Sequence, residues 1–305
     1  VSGITGIYAP GSGSPTINAG SVRNRGLEFA INYEDKLSEN LNFKLGYNIT
    51  TIDNEVLSVN NSTGYLEGGS FGVGQLNPVR MEAGQPIGYF YGYQTDGIFQ
   101  NQAEIDAHPS QSALGAATAP GDIRYKDINN DGVINQNDRT NIGDPIANIT
   151  MGFNFTLNYK NFDFTSYSYA SLGNDMIRNY ERTLSDVNRL DYVLDRWTGE
   201  GTSNSVPRVT TAATNNNVLS DYFVEDASFL RIQNIQLGYN FSQGIIQKIG
   251  LSKLRLYSSV NNVYTFTKYR GFDPAATNGS PIGGGIDYGF YPSPRTFILG
   301  INANF

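Results

Sequence analysis

Segments of about ten residues in which every second side chain is apolar and uncharged constrain the fold of this chain more than any other feature. Leu27, Phe29, Ile31 and Tyr33 alternate with Glu28, Ala30, Asn32 and Glu34. After a polar turn at 35–40, Leu41, Phe43, Leu45, Tyr47 and Ile49 alternate with Asn42, Lys44, Gly46 and Asn48. A period of two puts successive side chains on opposite faces of a strand, so these two segments read as a hairpin with one apolar face. The pattern returns at Ile149, Met151, Phe153, Phe155, Leu157 and Tyr159, then at Ile235, Leu237, Tyr239 and Phe241. It closes the chain at Phe297, Leu299, Ile301, Ala303 and Phe305, where Ile298 alone breaks the polar face. With weaker candidates at 77–96, 161–171 and 253–265, about eight strands are expected.

Alternation is shared by soluble sandwiches, which pack one face on a core and wet the other. The placement of charge separates the two environments. None falls on the apolar face of the clear segments, and the opposite faces are mostly Asn, Thr, Gln and Gly. A lipid-facing Arg or Lys costs roughly 2–4 kcal/mol at mid-bilayer, whereas a water-filled lumen accepts neutral polar groups. The segments also have the roughly 9–11 residues that a tilted strand needs to cross a membrane. Only 16% of residues are charged, while 20 Tyr and 17 Phe suit strands and interfacial girdles. No run of about 18 apolar residues offers a transmembrane helix. The start, Val1-Ser2-Gly3-Ile4-Thr5-Gly6, lacks the regions of a signal peptide.

The connections are uneven. Short turns at 35–40 and around Lys160 alternate with long Gly, Ser, Asn and Pro-rich stretches at 53–76, 100–148, 173–220 and 268–291. Outer-membrane barrels have this asymmetry, with the long loops outside. Leu190, Val193, Leu194 and Trp197 have helical spacing and predict a short helix in one loop.

One motif carries metal chemistry. From Asp127 to Asp138 the chain fits a twelve-residue calcium-loop template. Side-chain oxygens of Asp127, Asn129 and Asp131, the carbonyl of Val133 and the carboxylate of Asp138 can converge on a hard cation, with Asn135 acting through water. Gly132 supplies the sharp turn. The flanks read as extended, so calcium here is expected to order an outer loop and not to work as a helix-loop-helix sensor. Asp138 is shorter than the usual Glu and requires a tighter loop.

Other chemistry is excluded or weak. No cysteine is present, so disulfides and thiol nucleophiles are impossible. A net charge of −7 without a basic stripe argues against nucleic acid. The single histidine, His108, reads as a surface residue, and the Glu225-Asp226 pair is the kind that arises by chance on loops. No catalytic constellation emerges. Gly283-Gly284-Gly285 opens no helix after a strand and reads as a turn.

A set of phrases runs in order along the chain: Asn24-Arg25-Gly26-Leu27-Glu28-Phe29, Gly84-Gln85-Pro86-Ile87-Gly88 through Tyr89-Phe90-Tyr91-Gly92-Tyr93 to Asp96-Gly97-Ile98-Phe99-Gln100, and Pro120-Gly121-Asp122-Ile123-Arg124-Tyr125. Gly143-Asp144-Pro145-Ile146, Gly173-Asn174-Asp175, Arg196-Trp197-Thr198 and Val224-Glu225-Asp226-Ala227-Ser228-Phe229-Leu230-Arg231 follow. Thr265-Phe266-Thr267-Lys268-Tyr269 and Tyr291-Pro292-Ser293-Pro294-Arg295-Thr296-Phe297 end the set. With these the chain resembles the C-terminal region of SusC-like TonB-dependent transporters of Bacteroidota (the SusC/RagA family). Its aromatic last residue resembles the end of bacterial outer-membrane barrels.

The resemblance implies an all-β fold: residues 1–305 form the C-terminal part of an antiparallel transmembrane barrel of roughly 22 strands, with long extracellular loops. It implies a fragment, without the plug domain and the TonB-contacting segment of longer family members. It further implies import of oligosaccharides or peptides across the outer membrane of a Gram-negative cell, under a SusD-like surface lipoprotein and with energy from the TonB complex. Tyr91, Tyr93 and Tyr269 are candidates for stacking on cargo. Two readings from other classes stand beside it: a secreted, calcium-stabilised β-sandwich that binds glycans, and a glycan-cleaving enzyme.

Overall fold

The alternating segments form the strands they predict, and their register fixes what each face presents. A computed structural model describes residues 20–72, 75–180 and 188–305. Seven strands make one antiparallel sheet: β1 (Glu28–Ser38), β2 (Leu41–Thr51), β3 (Ile149–Tyr159), β4 (Phe162–Leu172), β5 (Phe229–Asn240), β6 (Lys253–Thr267) and β7 (Thr296–Asn304). Each pairs with its neighbours in chain order, an up-and-down meander.

One row of paired residues crosses the whole wall as Tyr33, Leu45, Phe155, Ser166, Ile235, Val260 and Phe297. The adjacent row, on the other face, reads Asn32, Gly46, Asn154, Tyr167, Asn234, Asn261 and Thr296. The outer row is therefore apolar except at Ser166, and the inner row is neutral and, apart from Gly46, polar or aromatic. Bulges after Ile232 and near Asn262, which adopts φ 51°, keep both rows in register across β5 and β6.

No second layer covers the apolar face. The three hydrophobic clusters of the described residues contain no residue of the wall. Phe29 is 57% exposed, Leu237 49% and Leu256 47%, although the last two lie on interior strands. Water would not tolerate a continuous sheet of such side chains, since soluble monomers rarely expose apolar patches beyond a few hundred Å². Hydrocarbon would. At the short-turn end the outer row becomes aromatic, with Tyr159, Phe162 and Tyr239 on adjacent strands and the rings of Phe162 and Tyr239 4.9 Å apart. That is where an interfacial girdle belongs. A two-sheet sandwich has no counterpart for this face, so the soluble sandwich expectation is overturned.

Connections of two lengths alternate, so they segregate to opposite ends of the wall. Two-residue turns join β1 to β2 and β3 to β4, the latter with Lys160 at φ 52°, and a short helical turn at Gln243–Ile246 lies between β5 and β6. The other end carries 52–148, 173–228 and 268–295. These three connections fold together into a cap. Phe71, Val79 and Phe90 of the first share a buried cluster with Ile177, Leu219 and Phe223 of the second and Ile286 of the third.

Two expectations need correction. Segment 77–96 is not a wall strand: Val79–Glu82 and Tyr89–Gly92 are four-residue strands of a cap sheet with Tyr65–Gly68 and Thr140–Gly143. Pro78 and the turn at Gly84 to Gly88 interrupt it, and its faces are covered on both sides. The predicted helix around 190–197 is a five-residue 3-10 turn, Asp191–Asp195. Its N-cap, Leu190, offers no side-chain acceptor, and Leu194 stays exposed.

Candidate functional site

The inner face is the first candidate surface, because it lines whatever space the wall encloses. Asn234 donates to Ser259 Oγ (2.8 Å) and Asn261 Oδ1 (2.6 Å), and Asn158 donates to Asn42 Oδ1 (2.8 Å). These cross-strand amide pairs hold one another's dipoles and leave a neutral, hydrogen-bonding surface. Tyr257 lies flat on the same face over Gly300, where a Cβ would sit 2.3 Å from the ring, so residue 300 must be glycine for the ring to rest there. Toward the short-turn end Arg255 pairs with Asp163 and also donates to Gln236 Oε1 (2.8 Å).

At the opposite end the wall is tied to the cap. Arg231 projects from the inner face of β5 and pairs with Asp273 in the 268–295 connection, both side chains being buried. Burial pushes the Asp273 carboxyl up. The backbone N–H groups of Ala275 and Ser293 and the Arg231 guanidinium outweigh it, so Asp273 is held below the usual carboxylate range. Asp144, Asp175 and Asp226 come from three separate phrases of the sequence and meet at the same rim. Asp175 pairs in register with Asp226, and its N–H donates to Asp144 O at 2.7 Å. Burial, then the neighbouring charges of Asp144 and Asp226, pushes the Asp175 carboxyl up to about 6 against the pull of a backbone hydrogen bond.

The loop at 127–138 lies in the cap between strands Ile123–Tyr125 and Thr140–Gly143, extended on both flanks. Its side chains already fold it inward. Asp127 Oδ2 accepts the Gly132 N–H (2.8 Å), Asp131 Oδ1 the Val133 N–H (2.9 Å), and Asn135 Oδ1 the Asn137 N–H (2.9 Å). Asp138 is fully buried, with Oδ1 accepting from Ile128 (2.9 Å) and Oδ2 from Asn135 (2.8 Å). Gly132 sits at φ 86°, a conformation that glycine adopts without strain. Ile134 anchors the loop in a core with Tyr93, Ile123 and Tyr125. Asn129 Nδ2 donates to Asp131 Oδ2 (3.0 Å), which turns one candidate ligand toward another. Among the described residues no three acidic or histidine side chains are gathered on one metal-sized point. The donor set is oxygen only, the chemistry a hard cation takes.

The three tyrosines named for cargo stacking are placed differently from one another. Tyr93 and Tyr269 are 5% and 6% exposed, in cap cores, and the Tyr269 hydroxyl donates to Asp287 Oδ2 at 2.6 Å. Their rings are covered by the cap itself, so they are not faces for stacking. Tyr91 is half-buried against the guanidiniums of Arg80 (3.6 Å) and Arg139 (4.4 Å). His108 is partly covered and sets its ring edge-on to Phe99 at 5.1 Å. Glu225 is buried between Arg178 and Arg270, which leaves the Glu225-Asp226 pair without the paired geometry of a glycosidase. Arg231 and Tyr167 carry no role in the sequence reading. Arg231 is the only charged residue in β5, and that was the available signal.

No family model matches the chain. TonB-dependent receptor P3 of Formosa agariphila is 31% identical over 97% of this chain and 30% of its own length. TonB-dependent receptor SusC of Bacteroides thetaiotaomicron is 28% identical over 95% of this chain and 27% of its own. In fold the chain is similar to the solved RagAB peptide importer in its "closed-closed" state, with a TM-score of 0.71 and 21% identity over 97% of this chain and 31% of that one. The chain spans less than a third of the relatives it matches. Along nearly its whole length, with a wall that is apolar on one face and an elaborate cap at one end, this chain matches a stretch of the SusC-like TonB-dependent receptors.

Proposed function

We propose that this chain is the wall and outer cap of an importer in the outer membrane of a Gram-negative, Bacteroidota-like cell. In this reading the cap receives oligosaccharide or peptide cargo from a SusD-like lipoprotein, and the TonB complex acts through parts of the receptor beyond this stretch. The observation that carries it is the seven-stranded sheet whose apolar face has no protein layer against it among the described residues, while its other face is polar. A pore needs that pairing of faces; a soluble module does not. Deleting the receptor gene should abolish growth on one class of oligosaccharide or peptide, and the receptor extracted in detergent should bring a lipoprotein with it. Unchanged growth across both classes together with extraction of the receptor alone would remove the importer reading.

Within that reading the 127–138 loop holds calcium as a structural ion. Asp127, Asn129, Asp131, the Val133 carbonyl and Asp138 would supply the oxygens, with Asn135 through water. The ion would brace the cap between its two flanking strands, because Ile134 and the buried Asp138 already fix one side of the loop. Calcium titrated into the receptor by calorimetry should bind at one site here, and Asp131→Ala should weaken that site by at least about tenfold, a loss of one carboxylate ligand. Binding unchanged by Asp131→Ala would place any calcium elsewhere.

A further inference from the structure

Three arginines are buried among the described residues, and two face carboxylates: Arg178 has Glu225 at 3.5 Å and Arg231 has Asp273. Arg139 is the third. It is 9% exposed, and no carboxylate of the described residues lies within 4.0 Å of it. Glu67, in the same cap sheet, is engaged by Arg80 at 2.9 Å. One Arg139 nitrogen, Nη2, donates to Tyr91 O (2.6 Å) and Asn77 O (3.0 Å), and the guanidinium lies 4.4 Å from the centre of the Tyr91 ring. Its Nε and Nη1 have no protein partner among the described residues and are not sealed from solvent, so an anion can reach this largely desolvated cation.

The space for an anion is present. Arg139 lines an open cleft of about 390 Å³ between the 3-10 turn Ser112–Leu114, the turn Gln136–Asp138 and the chain at 213–219. That size lies in the range of small-molecule sites. None of its described lining residues is acidic. Leu76, Leu114 and Val218 give it apolar walls, while Gln136 and Asn217 contribute amides at the edge. Nη2 is occupied by two carbonyls, so the remaining Nε and Nη1 N–H groups each offer a carboxylate oxygen one charge-assisted bond, not a bidentate fork.

We propose that this cleft binds a small ligand bearing one carboxylate on a short apolar body, with the carboxylate on Arg139. Nothing in this depends on transport. The carboxylate can belong to a free small acid or to the C-terminus of a short peptide, and the probes distinguish them.

Butyrate and N-acetyl-alanyl-leucine, each beside its own amide, are titrated into the whole receptor in detergent. At least one acid should bind about tenfold or more tightly than its amide, as charge-assisted pairing requires, and the one that does identifies the source. Arg139→Gln should erase the preference for acid over amide. Because that change also removes the bonds to Asn77 and Tyr91, Ala213→Phe serves as a second variant: it sits at the exposed mouth, leaves Arg139 intact and should weaken the acid by blocking the cleft. Heat-modifiable migration in electrophoresis reports that each variant is folded. If neither acid outbinds its amide on folded receptor, or if Ala213→Phe binds as the parent does, the site is not this cleft.

Discussion

Phe155→Arg should lower the stability of the receptor in lipid vesicles by about 2–4 kcal/mol, while Tyr159→Arg on the same strand should cost only about 0–1 kcal/mol. Both side chains lie on the apolar face of β3. Phe155 is at mid-height in a row that runs from Tyr33 to Phe297, and Tyr159 is at the short-turn end beside Phe162. In hydrocarbon the cost of a charge depends on depth, because near the interface a long side chain reaches headgroups and water. In a protein core it would depend on local packing and not on height along the strand. Asn154→Arg, one residue away on the inner face, should change stability by no more than about 0.5 kcal/mol, as at an ordinary wet position. Denaturant titration of vesicle-inserted receptor measures all three. Equal losses at Phe155 and Tyr159, or a larger loss at Asn154, would mean that lipid is not what this face touches.

The wall was legible in the sequence because its signal is local. A two-residue period needs no knowledge of the partner strand, and Leu41 to Ile49 and Ile149 to Tyr159 show it without interruption. Lys160 also marks the end of β3, whereas β1 runs on to Ser38, so the polar turn expected at 35–40 is reduced to residues 39–40. The cap was not legible. Its strands are covered on both sides, so Val79–Glu82 and Tyr89–Gly92 lose the alternation that would announce them. Its cohesion comes from pairings such as Ile177 with Ile286, which sequence proximity cannot suggest.

The candidate sites divide along the same line. The calcium-type loop was readable because every bond that shapes it joins residues inside one twelve-residue segment, from Asp127–Gly132 to Ile128–Asp138. Tyr93 and Tyr269 could not be judged, because residue type does not say whether a tyrosine is a binding face or a buried strut. Arg139 differs from Arg231 only in what lies across from it. That is a property of the fold, and Asp273 and the Ser112–Leu114 turn come from different connections.

The Arg231–Asp273 pair is where the division between wall and cap has its largest energetic consequence. Both side chains are buried, and Arg231 Nε also donates to Thr265 Oγ1 (2.8 Å) on the neighbouring strand. Asp273→Ala would leave a buried guanidinium on the wall without its charge partner, a change that costs about 3–5 kcal/mol. The loss should be local to the cap. Ala275, Ser293 and their neighbours are held by the same carboxylate, so hydrogen exchange should rise across 268–295 while β5 and β6 stay protected. The double change Arg231→Met with Asp273→Leu removes both charges and should recover most of the stability, since apolar replacement of a buried pair is often neutral or better.

Acid tests the same contact without mutation. The folded carboxyl of Asp273 titrates below its unfolded value of about 4, so its contribution is complete above that value and is lost as pH falls through the folded pKa. Exchange across 268–295 should therefore accelerate below about pH 4 in the parent receptor and be insensitive to pH there in Asp273→Asn, once intrinsic exchange rates are divided out. If the double variant is as loose as the single one, the loss in Asp273→Ala does not come from an orphaned guanidinium, and the carboxylate's own bonds to Ala275 and Ser293 are what hold the cap.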